Sequence, residues 1–242
     1  MNPGRPRVPR LIPPQSGGVC GGRGFATRLR WTYRAKGFTP ESESFELSLC
    51  IDRADYERAC GELAFAPFSP DDYPGFVLLG PMDDVRRMAT ELRALSEKRC
   101  FSPLQEVENV VQMVRSLRYW NDPDHPHAVD QPKYPVQTLV DGGGDCEDFA
   151  ILAASLLCSL GHSAALLYIE TEATAHMALG LNTDRLEDGF AVHGPDGRRY
   201  VYIETAPTSV ELGVVPNEFL GGLRQMVAIP LPMETCDAGD ES

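Results

Sequence analysis

The segment DGGGDCEDFAILAASLLCSLG, residues 141–161, constrains the fold of this 242-residue chain more than any other. Its glycines give a turn conformational freedom, Asp145 is placed as a helix N-cap, and an apolar run follows until Gly161 ends the helix. Cys158, deep in that run, reads as a core thiol. Cys146 is different, because it falls in the first turn, where unpaired N–H groups and the helix dipole favour a negative charge. A thiolate there has a lowered pKa and is the reactive form. Asp145, Glu147 and Asp148 flank it and push the other way, so an imidazolium nearby is needed to offset them.

The rest of the pattern says what surrounds this helix. FATRLRWTYRA (25–35) and SFELSLCI (44–51) alternate roughly and predict two strands. DDVRRMATELRALSEKR (83–99) puts Val85, Met88, Leu92 and Leu95 on one helical face. A second helix starts at Ser102, where SPLQ matches a capping box, and carries Val107, Val110, Val111, Val114 and Leu117 at the helical period through Trp120. Residues 121–135, with four prolines, read as a long loop, of the kind that often carries function. AALLYIE (164–170), HMALGLN (176–182) and RYVYIET (199–205) predict three strands, with GPDG (194–197) as a hairpin turn. Strands that follow one another without intervening helices make this an α+β chain.

Composition narrows the function classes. Residues 1–40 hold eight basic side chains and no acid, leaving the other 202 with 14 basic against 35 acidic, a net −21. So acidic a body repels nucleic acid and anionic membrane. No run approaches the ~18 apolar residues of a membrane span, and the start, MNPGRPRVPRLIPPQSGG, has no apolar signal region. A cytoplasmic protein is expected. The seven cysteines form no C-x-x-C pair, so neither a zinc ribbon nor a redox motif is indicated, and without a secretion signal no disulfide framework is expected.

Of the five histidines, only His176 opens a clean apolar strand; His125 and His127 lie in the proline-rich loop, His162 follows the helix end and His193 borders a hairpin turn. Glu204 ends the next long strand. If the two strands pair antiparallel, the start of one lies beside the end of the other, and His176 and Glu204 become neighbours. Glu170 is the weaker alternative. Cys146, His176 and Glu204 then make a nucleophile, a base and an orienter. The oxyanion would be held by the backbone N–H of Cys146, with Gln112 as a side-chain candidate.

The set YPVQTL, GGGDCEDFAILAASLLCSLGH, AHMALGL and YVYIETAPT resembles the transglutaminase-like superfamily, of papain-type fold, most closely its prokaryotic GDCED-type members. The likeness is dense from Tyr134 to Thr208 and extends to the helix containing VVQMVRSLRYWND. It implies Cys146 as nucleophile, His176 as base and Glu204 as third member, the last standing where many members carry Asp. The tryptophan associated with the oxyanion in animal transglutaminases has no clear counterpart, although Trp120 lies near the loop. Some proteases of the superfamily bind calcium beside the cysteine, and Asp145, Glu147 and Asp148 offer hard oxygen ligands. We read these acids instead as a cap and solvated surface, and predict no metal and no cofactor.

The expected architecture is a transglutaminase-like core over 101–232, its Cys-bearing helix packed on an antiparallel sheet carrying His and Glu. An α/β extension over 25–100 precedes it, and tails over 1–24 (basic, disordered) and 233–242 (acidic) flank the whole. The expected activity is acyl transfer from a protein or peptide amide through a thioester, with hydrolysis (peptidase or amidase) ahead of transglutamination. The alternatives are a non-catalytic peptide-binding module, and a scaffold whose working part is a partner-docking surface within 25–100. Substrate, partner and oligomeric state are not legible.

Overall fold

A computed structural model describes residues 19–20, 23–34, 42–61, 67, 69–120 and 131–232. At its centre is α6, Cys146–Ser159, in which every side chain from Glu147 to Cys158 is buried. A helix apolar on all sides must be covered on all sides. Around it lie α2 (Pro74–Leu78), α3 (Asp83–Lys98), α4 (Pro103–Arg115) and α5 (Pro135–Asp141). A five-stranded antiparallel sheet closes the remaining side, in the order β10 (Leu223–Pro230), β6 (Ala164–Thr171), β7 (Ala175–Leu181), β9 (Arg199–Ile203), β8 (Ala191–His193). The α+β class read from the strand sequence therefore holds, and the GPDG turn joins β8 to β9 with His193 opposite Arg199.

Residues on the two faces of this sheet enter different hydrophobic clusters. Leu166, Met177, Leu179 and Ile203 pack toward α6, while Leu167, Ile169, Ala178, Tyr200 and Tyr202 form a second layer on the far side. Strand alternation dictates this division.

The N-terminal strands β2 (Gly24–Arg34) and β3 (Ser42–Asp52) pair along their full length, Gly24 opposite Asp52 and Arg34 opposite Ser42. Their inner faces, among them Leu29, Trp31, Tyr33, Phe45 and Leu49, join the same cluster as α6. Trp31 Nε1 donates to Asn109 Oδ1 at 2.8 Å and Tyr33 Oη to Glu108 Oε2 at 2.9 Å, fastening the hairpin to α4. The capping box expected at Ser102 is present, Ser102 N–H donating to Gln105 Oε1 at 2.9 Å.

Several expectations need correction. Val19–Cys20, assigned to a disordered tail, form a strand, β1, paired with the start of β2. Cys20 is disulfide-bonded to Cys50, where no disulfide was expected. The hairpin register, which sets Gly24 opposite Asp52, delivers Cys50 to that strand, and a Cβ on Gly24 would collide with the Cys50 sulfur. The helix expected from Ser102 to Trp120 ends at Arg115, and Arg118–Tyr119 form β4, parallel to β5 (Gly143–Gly144). Of the loop expected over 121–135, residues 121–130 lie outside the described residues, and α5 begins at Pro135; helix α1 (Arg53–Cys60), which was not expected, follows β3 directly. Both helices are short, below the length at which periodicity is legible. The tails 1–18 and 233–242, Cys236, His125 and His127 lie outside the described residues.

Candidate active site

Each glycine of the DGGGD turn has its own reason. Gly142 closes α5 in the left-handed conformation at φ 77°, which glycine adopts without penalty. A Cβ on Gly143 would strike the Arg118 carbonyl across the β4–β5 pair, and one on Gly144 would strike the Asp148 carboxylate. The chain is therefore drawn tightly under β4 before α6 begins, and Cys146 emerges at the first helical position.

The acids around Cys146 are not solvated surface, as the sequence suggested. Asp145, Glu147 and Asp148 are all buried. Asp148 is a structural anchor: its Oδ1 accepts from Lys133 N–H at 2.7 Å, its Oδ2 meets Lys133 Nζ at 3.2 Å, and Oδ2 also accepts from Asp145 N–H at 3.4 Å. Burial works against the Lys133 charge, but Asp148 and Asp141 outweigh it and hold the ammonium above the ordinary lysine range. Among the described residues no three His, Cys, Asp or Glu side chains converge as a metal ion would require. Asp148 is committed to Lys133, and no step below passes through a metal ion.

Cys146 keeps some exposure. Its thiol donates to Glu147 Oε2 at 3.2 Å, and the sulfur also takes the backbone N–H of Met177 in β7. That N–H is available because the β7–β9 ladder covers only Leu179, Gly180 and Leu181. Burial first, and then the Glu147 charge, push the thiol well above its usual range, against the smaller opposing effect of the Met177 N–H.

His176, the residue before Met177, is joined to Glu204 as the strand order predicted. Its Nε2 lies 2.9 Å from Glu204 Oε2 and 3.2 Å from Oε1. Facing a carboxylate, Nε2 is the ring nitrogen placed to donate, and Nδ1 is the one turned away from Glu204. Glu204 is held from all sides: Tyr202 Oη donates to Oε2 at 2.6 Å, and the N–H groups of Thr205 and Ala206 donate to Oε1, each at 2.9 Å. Arg115 grips the Glu204 carbonyl through Nη2 at 2.7 Å and Nε at 3.2 Å. Burial alone would raise the Glu204 carboxyl, but His176, Tyr202 and the Ala206 N–H lower it below the ordinary glutamate range. Phe219, from the short helix α7 (Asn217–Leu220), stacks on the imidazole with centroids 4.1 Å apart and planes inclined by 13°.

The structure thus brings His176 and Glu204 together and sets Cys146 against the neighbouring residue of β7. Among the described residues no hydrogen bond joins the Cys146 thiol to the His176 ring. Strand alternation explains why: Cys146 packs with the cluster on the α6 side, whereas His176 shares the far side with Ala178 and Tyr202. Gln112 meets none of the three; it lines a cleft of about 160 Å³ with Glu108, Arg115 and residues of the 208–212 loop. Glu170 pairs opposite Ala175 in the β6–β7 ladder and makes an ion pair with Arg224 at 4.0 Å. Tyr202, Phe219 and Lys133 were not anticipated. Tyr202 was within reach, since YVYIE alternates and puts residues 202 and 204 on one face; Phe219 had no signal, being brought to His176 by the chain's return after Glu204.

No protein-family model and no curated protein matches the chain. Among solved structures, it is similar to Legionella pneumophila LapG at 22% identity and a TM-score of 0.40, over 66% of this chain and 83% of that one. An EGTA-treated form gives the same identity and TM-score over 81% of its length. A calcium-bound form gives 18% identity and a TM-score of 0.32, over 56% of this chain and 80% of that one. Similarity at this level assigns neither family nor activity.

Proposed function

We propose that this chain is a cysteine-dependent acyl-transfer enzyme of transglutaminase-like type that hydrolyses protein or peptide amides. In this reading Cys146 attacks the carbonyl, His176 takes the thiol proton at Nδ1 and returns it to the leaving amine, and Glu204 fixes the imidazole tautomer. Water then resolves the thioester. The observation that carries the reading is the buried His176–Glu204 pair, one residue along β7 from the N–H that meets the Cys146 sulfur. It supports a base already oriented, with Nδ1 making no hydrogen bond among the described residues. The reading requires the thiol to leave Glu147 and meet Nδ1.

A second reading, a non-catalytic peptide-binding module, is favoured by one observation: the resting thiol is turned to Glu147 and pushed up by burial. Incubation with reduced, alkylated casein, an unstructured protein, separates the two. The enzyme reading predicts new peptide termini that disappear in Cys146→Ser and His176→Ala. Equal cleavage by wild type and Cys146→Ser would contradict it, and saturable casein binding without cleavage would establish the module.

A further inference from the structure

We propose that Tyr119 is the side-chain donor to the oxyanion formed when Cys146 attacks a carbonyl, an inference that rests on the acyl-transfer reading above. Three observations place its ring beside the first turn of α6. Tyr119 in β4 pairs with Gly144, two residues before Cys146. The next residue fixes that register, Trp120 N–H donating to Gly144 O at 3.2 Å. The Tyr119 ring also meets Phe149 edge-on, with centroids 5.8 Å apart and planes at 80°, and Phe149 is three residues beyond Cys146, on the same side of the first turn of α6. The ring therefore lies along the start of the helix that presents the thiol.

The hydroxyl is free for this task. Tyr119 is partly exposed, and among the described residues its hydroxyl makes no hydrogen bond, in contrast to Tyr33, Tyr56, Tyr200 and Tyr202, which each donate to a carboxylate. Burial first, and then the charges of Cys146, Asp145, Glu147 and Glu204, keep the phenol protonated throughout the physiological range. It remains a donor whatever happens at the thiol. Gln112, the donor suggested by the sequence, faces a different cleft.

In the acylation step a bond forms between Cys146 Sγ and the carbonyl carbon while the thiol proton passes to His176. The carbonyl π pair moves onto oxygen, where Tyr119 Oη–H and the backbone N–H of Cys146 receive it. The pair then returns and the bond to the leaving group breaks. A donor to the oxyanion gains most once the oxygen is charged, so it lowers the acylation barrier. Alkylation by iodoacetamide forms the S–C bond as the C–I bond breaks, with no oxyanion.

Two reactions of the same thiol therefore test the assignment in the full-length protein. One is acetylation by p-nitrophenyl acetate, followed by p-nitrophenolate release. The other is alkylation by iodoacetamide, each assigned to Cys146 by peptide mass. Tyr119→Phe keeps the ring and its Phe149 contact, and thermal unfolding verifies that the variant is folded. The expected result is an acetylation rate lower by roughly 100-fold and an alkylation rate within about twofold of wild type. Unchanged acetylation, or a parallel loss of both rates, overturns the role of Tyr119. Wild type that alkylates but forms no acyl-enzyme overturns the acyl-transfer reading itself, and the role of Tyr119 with it.

Discussion

The two halves of the candidate site are built to different standards. On the His176–Glu204 side every carboxylate oxygen is engaged, one ring face of the imidazole is covered by Phe219, and Arg115 ties down the strand end. On the Cys146 side the thiol is turned to a neighbouring carboxylate and its ionisation is opposed by burial. In the proposed reading, then, the acid–base half is preorganised and the nucleophile is held back. Preorganised hydrogen bonds in a buried site cost no reorganisation during reaction, whereas a thiol resting on Glu147 must first be released. In the proposed reading the reactive form is the one in which the thiol has left Glu147 for the imidazole.

The largest expected effect comes from breaking the ordered half. Glu204→Gln keeps the shape but removes the charge that His176 Nε2, Tyr202 and two backbone N–H groups converge on. Activity should fall by about 10³–10⁴-fold, and stability by roughly 3 kcal/mol at neutral pH, read from denaturant midpoints. The sign with pH follows from the depressed carboxyl. The folded state binds fewer protons than the unfolded one, so the contribution is full above the ordinary glutamate range, about 4.3. It is lost as pH falls through the lowered folded value. Wild-type stability should show this acid loss and Glu204→Gln should not; parallel pH curves would remove Glu204 from the account.

A smaller effect should sharpen the other half. Glu147→Gln removes the charge that, after burial, most raises the Cys146 thiol. Iodoacetamide alkylation of Cys146 at pH 7.5 should rise roughly three- to tenfold, and an unchanged rate would mean that Glu147 does not restrain the nucleophile.

What the sequence made legible follows physical range. The turn before Cys146, the buried run after it and the His176–Glu204 pairing were readable because each depends on local periodicity or on two strongly apolar strands, β7 and β9, that pair directly although the short β8 lies between them in the chain. The disulfide was not readable, since Cys20 and Cys50 meet only through a hairpin register that alternation leaves undetermined. The acids at 145, 147 and 148 were misjudged because burial cannot be told from a charge pattern: Asp148 goes inside only because Lys133, fifteen residues earlier, folds back to meet it. Among the described residues the Cys146 thiol bonds Glu147 and takes the N–H of Met177 rather than the ring of His176, the residue before it, a choice of side-chain partner that no sequence pattern reports.

The central claim is that His176 activates Cys146, and the most direct measurement is the rate of iodoacetamide alkylation of Cys146 against pH, in wild type and His176→Ala. The account predicts a reactive form in the neutral range that depends on His176, with alkylation near pH 7 at least tenfold slower in the variant. A single alkaline titration, the same in both proteins, is what burial and Glu147 alone would produce, and it would contradict the claim.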